Sequence, residues 1–127
     1  MKIGIIGGTG DIGKGLALRI SDKHEIILGS REASKACEAA DATVCTLREH
    51  NTVSLCRGAS NEEAVRDADI VVISVMFQHV ASTLAGINPA YLENKIVISP
   101  VNPMGKKDGY FFFDRPEEGS AALAIQK

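Results

Sequence analysis

A glycine-rich turn near the start of the chain constrains the fold more than any other feature of the sequence. Gly8, Gly10 and Gly13 have the spacing G-x-G-x-x-G, after an apolar run over residues 3–6 and before a helical pattern over residues 14–20. Alone this spacing is a weak signal, but between a strand and a helix it is typical of a dinucleotide-binding turn. The sequence therefore predicts an α/β fold whose first strand leads directly into this turn.

Each glycine of the turn has a predicted role. Gly8 would permit the tight turn out of the strand, Gly10 would let the backbone approach a pyrophosphate, and Gly13 would let the helix pack closely on the sheet. The N-terminus of the helix would then offer unpaired N–H groups and the positive end of its dipole to the phosphates. Ala17, one turn after Gly13, would keep the packed face of this helix small.

The end of the predicted second strand indicates which dinucleotide would bind. An NAD-binding unit places an Asp or Glu about 20 residues after the glycines, where it accepts a hydrogen bond from the ribose 2′-hydroxyl. Here that position holds Ser30, followed by Arg31. Because a hydroxyl and a guanidinium suit an anionic 2′-phosphate, the sequence favours NADP. Lys35 would add a positive charge on the same helical face. The alternative is that Arg31 and Lys35 are ordinary solvated charges.

Strand and helix patterns alternate along the chain. This alternation predicts a Rossmann-like, doubly wound parallel sheet of about five strands with helices on both faces. The predicted strands span residues 2–6, 25–28, 52–56, 70–75 and 95–99. The predicted helices span residues 11–22, 32–50, 61–65, 78–85 and 116–126. Ser60 and Glu63 would form a capping box at the third helix, and residues 101–115 read as a loop.

Three segments should meet where a ligand would bind. In a doubly wound sheet the ligand lies beyond the carboxyl ends of the strands, at the switch point. These segments are the glycine turn, residues 75–79 and residues 99–103. In the two later segments, the candidate cofactor contacts are Val75, Phe77, His79, Pro100 and Asn102.

Composition limits the class of protein. With 127 residues, a net charge of −2 and few aromatic residues, the chain predicts one domain that binds neither nucleic acid nor membranes. The three cysteines lack the spacing of a metal site and are expected to be reduced thiols. Because the chain starts directly in a strand pattern and shows no signal peptide, a cytoplasmic location is expected.

Two motifs together resemble one known family. Residues 7–17, with the glycine turn, and residues 24–31, with Ser30 and Arg31, closely resemble coenzyme F420-dependent NADP oxidoreductases. Residues 95–100 are similar to that family as well. The resemblance implies hydride transfer between NADPH and the deazaflavin F420. It also implies that Thr9, Gly10, Asp11 and Ile12 hold the pyrophosphate.

The same resemblance assigns Ser30, Arg31 and Lys35 to the 2′-phosphate, and places Phe77 and His79 beside the cofactor. The family usually has Pro-Trp-Glu-His after its fourth strand, whereas only His79 of residues 76–79 matches here. The family also continues beyond this length with a strand and a helical C-terminal domain, which helps to enclose F420 and forms a dimer. The chain thus resembles the NADP-binding half, a single domain over residues 1–127.

No residue is a strong catalytic candidate, because hydride transfer relies on the cofactor's own chemistry. His79 is the one weak candidate, and a merely structural role for it is at least as reasonable. Tyr91 and Lys95 match the Tyr-x-x-x-Lys pair that resembles short-chain dehydrogenases. That pair precedes the fifth strand, at the wrong end of the sheet, so we expect a coincidence.

Several functions therefore remain open. The protein could transfer hydride between NADPH and F420, reduce another small-molecule electron acceptor such as a ferric ion or an imine, or act as a non-catalytic NADP-binding or redox-sensing module that needs a partner. Three consecutive phenylalanines at 111–113 cannot all point inward on one regular element. We therefore expect an exposed apolar surface there, and self-association into a homo-oligomer.

Overall fold

The structure, a computed structural model, describes residues 1–126 of the chain. Its strands are β1 (Lys2–Ile6), β2 (Glu25–Ser30), β3 (Cys56–Ser60), β4 (Ile70–Ile73), β5 (Ile96–Ile98), β6 (Met104–Lys107) and β7 (Tyr110–Phe113). Its helices are α1 (Asp11–Ile20), α2 (Ala33–Glu49), α3 (Asn61–Asp67), α4 (Phe77–Leu84) and α5 (Ala121–Gln126). A short 3-10 helix spans Pro89–Leu92.

Strands β1 to β5 form one parallel sheet in the order β3-β2-β1-β4-β5. Strand β1 lies in the centre, and the chain crosses over it between β3 and β4. This is the order of a doubly wound sheet, with its switch point beyond the carboxyl ends of β1 and β4. The predicted Rossmann-like fold is confirmed. No helix in residues 1–126 is long and apolar enough to cross a membrane.

Most of the core lies in two clusters, one on each face of the sheet, and a small third cluster contains Ile27, Ala59 and Ala64. Ile3 and Ile5 pack with Ala17 of α1 and with Ala39 and Ala40 of α2. The neighbouring Ile6 points to the opposite cluster, which also contains Val65 of α3 and Val80 of α4. Because successive side chains of a strand point to opposite faces, an unbroken apolar run such as residues 3–6 requires cover on both sides, and the helices supply it.

The position predicted for the third strand is wrong. The strand occupies Cys56–Ser60 rather than residues 52–56, and Val53 is 84% exposed. Strand β3 pairs with β2 from Cys56 opposite Ile26 onward. A Cβ added at Gly58 would collide with the backbone of α2, so only a glycine there allows the helix to pack on this strand. Packing of α2, rather than apolar patterning, decides where β3 lies.

Residues 101–115 contain a β-hairpin where a loop was predicted. Strands β6 and β7 pair antiparallel, with Lys107 opposite Tyr110. The two residues between them, Asp108 and Gly109, have φ values of 51° and 83°. Positive φ at both positions is the mark of a tight two-residue hairpin turn, for which Asp-Gly is a favoured sequence. The four residues of β7 are all exposed, as expected for the phenylalanine run.

Other boundaries differ by smaller amounts. Helix α1 ends at Ile20, β2 continues to Ser30, and β4 ends at Ile73. The last helix begins at Ala121 rather than at Pro116. The longer β2 matters for the site, because it makes Ser30 the last strand residue.

Candidate dinucleotide-binding site

The turn after β1 depends on its glycines, but the role of Gly8 differs from the prediction. The residue with positive φ is Gly7, at 71°, and not Gly8. Gly8 is required instead by a close approach to β2, since an added Cβ would lie 2.9 Å from the Cα of Leu28. Its N–H donates to the carbonyl of Gly29 at 2.8 Å. The turn is thereby held against the end of β2.

The start of α1 is packed as the sequence predicts. A Cβ added at Gly13 would lie 2.6 Å from the backbone of Gly8, and Ala17 is fully buried. Gly10, the N-cap residue, has no side chain to cap the helix, and an added Cβ there would meet only the carbonyl of Gly7 at 3.5 Å. The backbone N–H groups of the first turn, including those of Asp11 and Ile12, therefore face an open approach.

Two side chains that the sequence reasoning did not single out hold the glycine turn in place. Asn61, the first residue of α3, accepts a hydrogen bond from the N–H of Gly7 at 3.2 Å. The hydroxyl of Ser74 lies 2.9 Å from the carbonyl oxygen of Ile6 and 3.2 Å from that of Gly7. Both residues directly follow a sheet strand at its carboxyl end, and this position was the signal that could have identified them.

The predicted capping box positions Asn61. The Ser60 hydroxyl accepts from the N–H of Glu63 at 3.2 Å, and the Glu63 carboxylate accepts from the N–H and the hydroxyl of Ser60 at 3.0 and 2.9 Å. Both hydrogen bonds to the carboxylate lower the pKa of Glu63 below its ordinary value. The box begins α3 at a defined residue, so the side chain of Asn61 points at the turn.

A cavity of about 330 Å³, which we call the β2-side cavity, collects the predicted phosphate-binding residues. It lies between the glycine turn, the end of β2 and the start of α4. Its walls include Gly7, Thr9, Gly10, Ser30, Arg31, Glu32, Lys35, Asn61, Ser74, Val75, Met76, His79 and Thr83. Residues more than 70 positions apart in the chain thus meet in one cavity.

The charges of the β2-side cavity are arranged differently from the prediction. Arg31 precedes α2, whose N-cap is Glu32, so Arg31 and Lys35 do not share a helical face. Arg31 is exposed and forms no hydrogen bond or ion pair within residues 1–126, whereas the Nζ of Lys35 lies 2.8 Å from the Glu32 carboxylate. The hydrogen bond from Lys35 lowers the pKa of Glu32, with a smaller contribution from Arg31. The Ser30 hydroxyl accepts from the N–H of Glu32 at 3.2 Å.

A second cavity of about 340 Å³, the β4-side cavity, lies on the other side of the switch point. It contains the predicted residues of the later segments, except those on α4. Its walls include Gly10, Asp11, Ile12, Ile73, Ser74, Val75, Met76, Pro100, Val101, Asn102 and Met104. Gly10, Ser74, Val75 and Met76 border both cavities. Together the cavities form one elongated site across the carboxyl edge of the sheet.

Comparison with known proteins places the chain in a family. The family model described as NADP oxidoreductase, coenzyme F420-dependent, matches residues 2–103. The chain belongs to this family. It is 37% identical over 130 aligned residues to the F420-dependent NADP reductase of Methanocaldococcus jannaschii, covering 99% of the chain and 57% of that protein. The reductase of Methanothermobacter thermautotrophicus is 42% identical over 105 residues, which is 82% of the chain and 44% of that protein.

The chain therefore spans about half of the length of the family members that it matches. Solved structures support the fold. A proposed F420-dependent NADP reductase from Arthrobacter sp. FB24 superposes with a TM-score of 0.78 at 24% identity, over 99% of the chain and 56% of that protein. A lactate dehydrogenase from Cryptosporidium parvum superposes with a TM-score of 0.65 at 21% identity, over 81% of the chain and 35% of that enzyme.

The family resemblance placed Phe77 and His79 beside the cofactor, but only His79 lines one of the two cavities. Phe77 begins α4, is half-buried and lines neither cavity, whereas the preceding Met76 is exposed and borders both. His79 is exposed and lines the β2-side cavity but not the β4-side cavity. The sequence departs from the usual family pattern at residues 76–78. Because of this departure, the pattern was a weak guide to which side chains of this segment line the site.

The Tyr-x-x-x-Lys match is a coincidence, as expected. Lys95 precedes β5, and its ammonium group donates to the carbonyls of Val65 and Arg66 at the end of α3. Tyr91 belongs to the 3-10 helix. The pair lies at the amino end of β5, whereas the two cavities lie at the carboxyl ends of the strands.

Proposed function

We propose that the protein binds NADP(H) across the two cavities and transfers hydride between this dinucleotide and coenzyme F420. The observation that carries the proposal is the β2-side cavity, where Ser30, Arg31 and Lys35 lie around a glycine turn that has no acidic residue in the ribose position. A hydroxyl and two cations form a donor set for a 2′-phosphate, which an acidic residue at Ser30 would repel.

The geometry of the site supports a proposed position for each remaining part of the dinucleotide. The N–H groups of Thr9, Asp11 and Ile12, at the turn and the start of α1, suit the pyrophosphate, whereas that of Gly10 donates to the carbonyl of Gly7 at 3.1 Å. Gly10 has open space where a side chain would stand, so a phosphate can come close to the backbone. The β4-side cavity, with Val75, Pro100 and Asn102, would then receive the nicotinamide half. Gly8 and Gly13 shape this surface rather than contact the ligand.

The bound nicotinamide supplies the hydride, and the protein's own task is to orient the ring and to exclude water. This assignment needs no catalytic dyad. His79 lines the side of the site away from the β4-side cavity, so we assign it a binding role and no proton transfer.

The acceptor is proposed from the names of the family members and from one neighbouring cavity. A third cavity of about 300 Å³ is lined by Asn102, Pro103, Met104 and the phenylalanines 111–113. It shares Asn102 and Met104 with the β4-side cavity. Aromatic walls next to the nicotinamide side suit a planar ring such as a deazaflavin.

A second candidate function is a nucleotide-binding module that works only with a partner. It is favoured by the uncovered apolar surface of β5 and the hairpin, where Ile96 is 64% and Ile98 is 50% exposed. We infer that this surface mediates self-association. We also propose a cytoplasmic location, where the three free cysteines would stay reduced.

A binding titration followed by a turnover assay tests the proposal. Calorimetry should show clear preference for NADPH over NADH. The chain should then oxidise NADPH when F420 is added, which the absorbance of F420 reports. Binding without turnover would favour the partner-dependent module, turnover with another acceptor alone would exclude F420, and failure to bind either nucleotide would contradict the proposal.

A further inference from the structure

The β2-side cavity contains one anionic side chain among its cations. Glu32 lies between Arg31 and Lys35 in the chain and lines the same cavity. Its carboxylate accepts a hydrogen bond from the Lys35 ammonium at 2.8 Å. One of the two cations available to a 2′-phosphate is therefore already paired with an internal anion.

We propose that Glu32 determines how strongly the protein prefers NADP over NAD, because it competes with the 2′-phosphate for Lys35. This inference rests on the proposed function. The residues proposed so far strengthen binding of the 2′-phosphate, whereas Glu32 would weaken it. The pair joins residues three apart at the start of α2, so backbone geometry keeps the two side chains within reach of each other.

The exposure of the pair makes such an exchange feasible. Both side chains are 61% exposed. Exposed ion pairs are weak in water, so a phosphate dianion can displace the carboxylate from Lys35 at little cost. The carboxylate then remains beside the phosphate, where two like charges repel each other. Both effects lower the affinity for a 2′-phosphorylated ligand and leave a ligand without that phosphate unaffected.

Removing the carboxylate should not disturb the fold. Glu32 is the N-cap residue of α2, but its side chain makes no capping hydrogen bond. Its backbone N–H, which donates to Ser30, is retained in any variant. Glu32→Gln therefore removes one charge and preserves size, helix start and the position of Ser30.

The probes are 2′,5′-ADP, which carries the 2′-phosphate, and 5′-ADP, which lacks it. Titration calorimetry at low salt should show that Glu32→Gln binds 2′,5′-ADP about twofold to fivefold more tightly than the wild type, with 5′-ADP unchanged. Glu38→Gln is the matched control. It removes the same charge from the exposed surface of α2, outside the residues that line the cavity, and should leave both affinities unchanged.

A second pair of variants tests whether Glu32 acts through Lys35. Lys35→Gln should weaken 2′,5′-ADP binding, and adding Glu32→Gln to it should produce a smaller gain than in the wild type. An equal gain in both backgrounds, or no gain at all, would overturn the inference while leaving NADP binding intact. If neither wild type nor variants bound 2′,5′-ADP, the proposed function and this inference would both be overturned.

Discussion

The two ends of the parallel sheet differ sharply in how well they are covered. At one end, β3 packs closely against α2, and residues 26–28 of the neighbouring β2 are fully buried between helices on both faces. Strand β5, at the opposite side, has three residues, all exposed. The glycine turn and the predicted phosphate site lie at the covered end, and the cavities next to the aromatic hairpin lie at the uncovered end. The difference teaches that the predicted phosphate site lies in the well-packed part of the molecule, whereas the cavity proposed for the acceptor lies beside an exposed apolar surface.

The largest expected effect concerns the covered end. Gly13→Ala places a methyl group 2.6 Å from the backbone of Gly8, where nothing can rotate away. Overpacking of this kind typically lowers the free energy of unfolding by about 1–3 kcal/mol. We expect a loss in the upper part of that range, because the neighbouring atoms belong to the backbone and cannot move aside as a side chain could. The free energy of unfolding from denaturant titration measures the loss.

Gly15→Ala is the control for that experiment, because it lies in the same helix with only the Arg19 guanidinium nearby, at 3.4 Å. Alanine favours a helix over glycine by about 1 kcal/mol, so this variant should be as stable as the wild type or more so. Equal destabilisation by both changes would contradict the close packing of α1 on the turn.

Next in size is Arg31→Ala. Losing a charged hydrogen bond to phosphate costs about 1.5–3 kcal/mol, so NADPH should bind roughly tenfold to a hundredfold more weakly. NADH, which has no 2′-phosphate, should bind as before. Calorimetric titration with both nucleotides checks this, and equal losses for the two would remove Arg31 from the phosphate site.

A smaller change in stability, but a clear change in assembly, is expected at the uncovered end. Phe111→Thr combined with Phe113→Thr keeps residues that favour strands and removes two exposed rings. Sedimentation velocity should show that self-association is lost, with little change in the unfolding temperature. Val53→Thr, at an exposed apolar position before β3, should leave assembly unchanged. A wild-type protein that sediments as a monomer at high concentration would disprove the role of this surface.

The smallest effect is an acid sensitivity of α3. The pKa of Glu63 is lowered from its ordinary value of 4.5 by the hydrogen bonds from Ser60. A lowered pKa in the folded state means that this contribution to stability is present above pH 4.5 and is lost as the pH falls through the folded-state value. The unfolding temperature of Glu63→Gln should thus fall less between pH 7 and pH 3 than that of the wild type. A parallel decrease in both proteins would show that the charge of Glu63 adds nothing to the stability of the capping box.

The sequence was informative wherever local chemistry requires one residue type. The G-x-G-x-x-G spacing, the Ser60 capping box and the continuous apolar runs of β1 and β4 each predict an element correctly, because turn geometry, capping and burial act over a few residues. The hairpin was missed although Asp108-Gly109 is a favoured turn, since no alternating apolar pattern flanks it.

Long-range packing decided the rest. Whether β3 starts at residue 52 or at Cys56 depends on the close approach of α2 to Gly58, and the holding of Gly7 by Asn61 and Ser74 depends on strands far apart in the chain. The sequence by itself determined the fold class, and it predicted a phosphate-binding role for Ser30 and Arg31. Only the tertiary structure decided that Asn61 and Ser74 hold the glycine turn and that β5 stays exposed, because both depend on which surfaces the folded chain brings together.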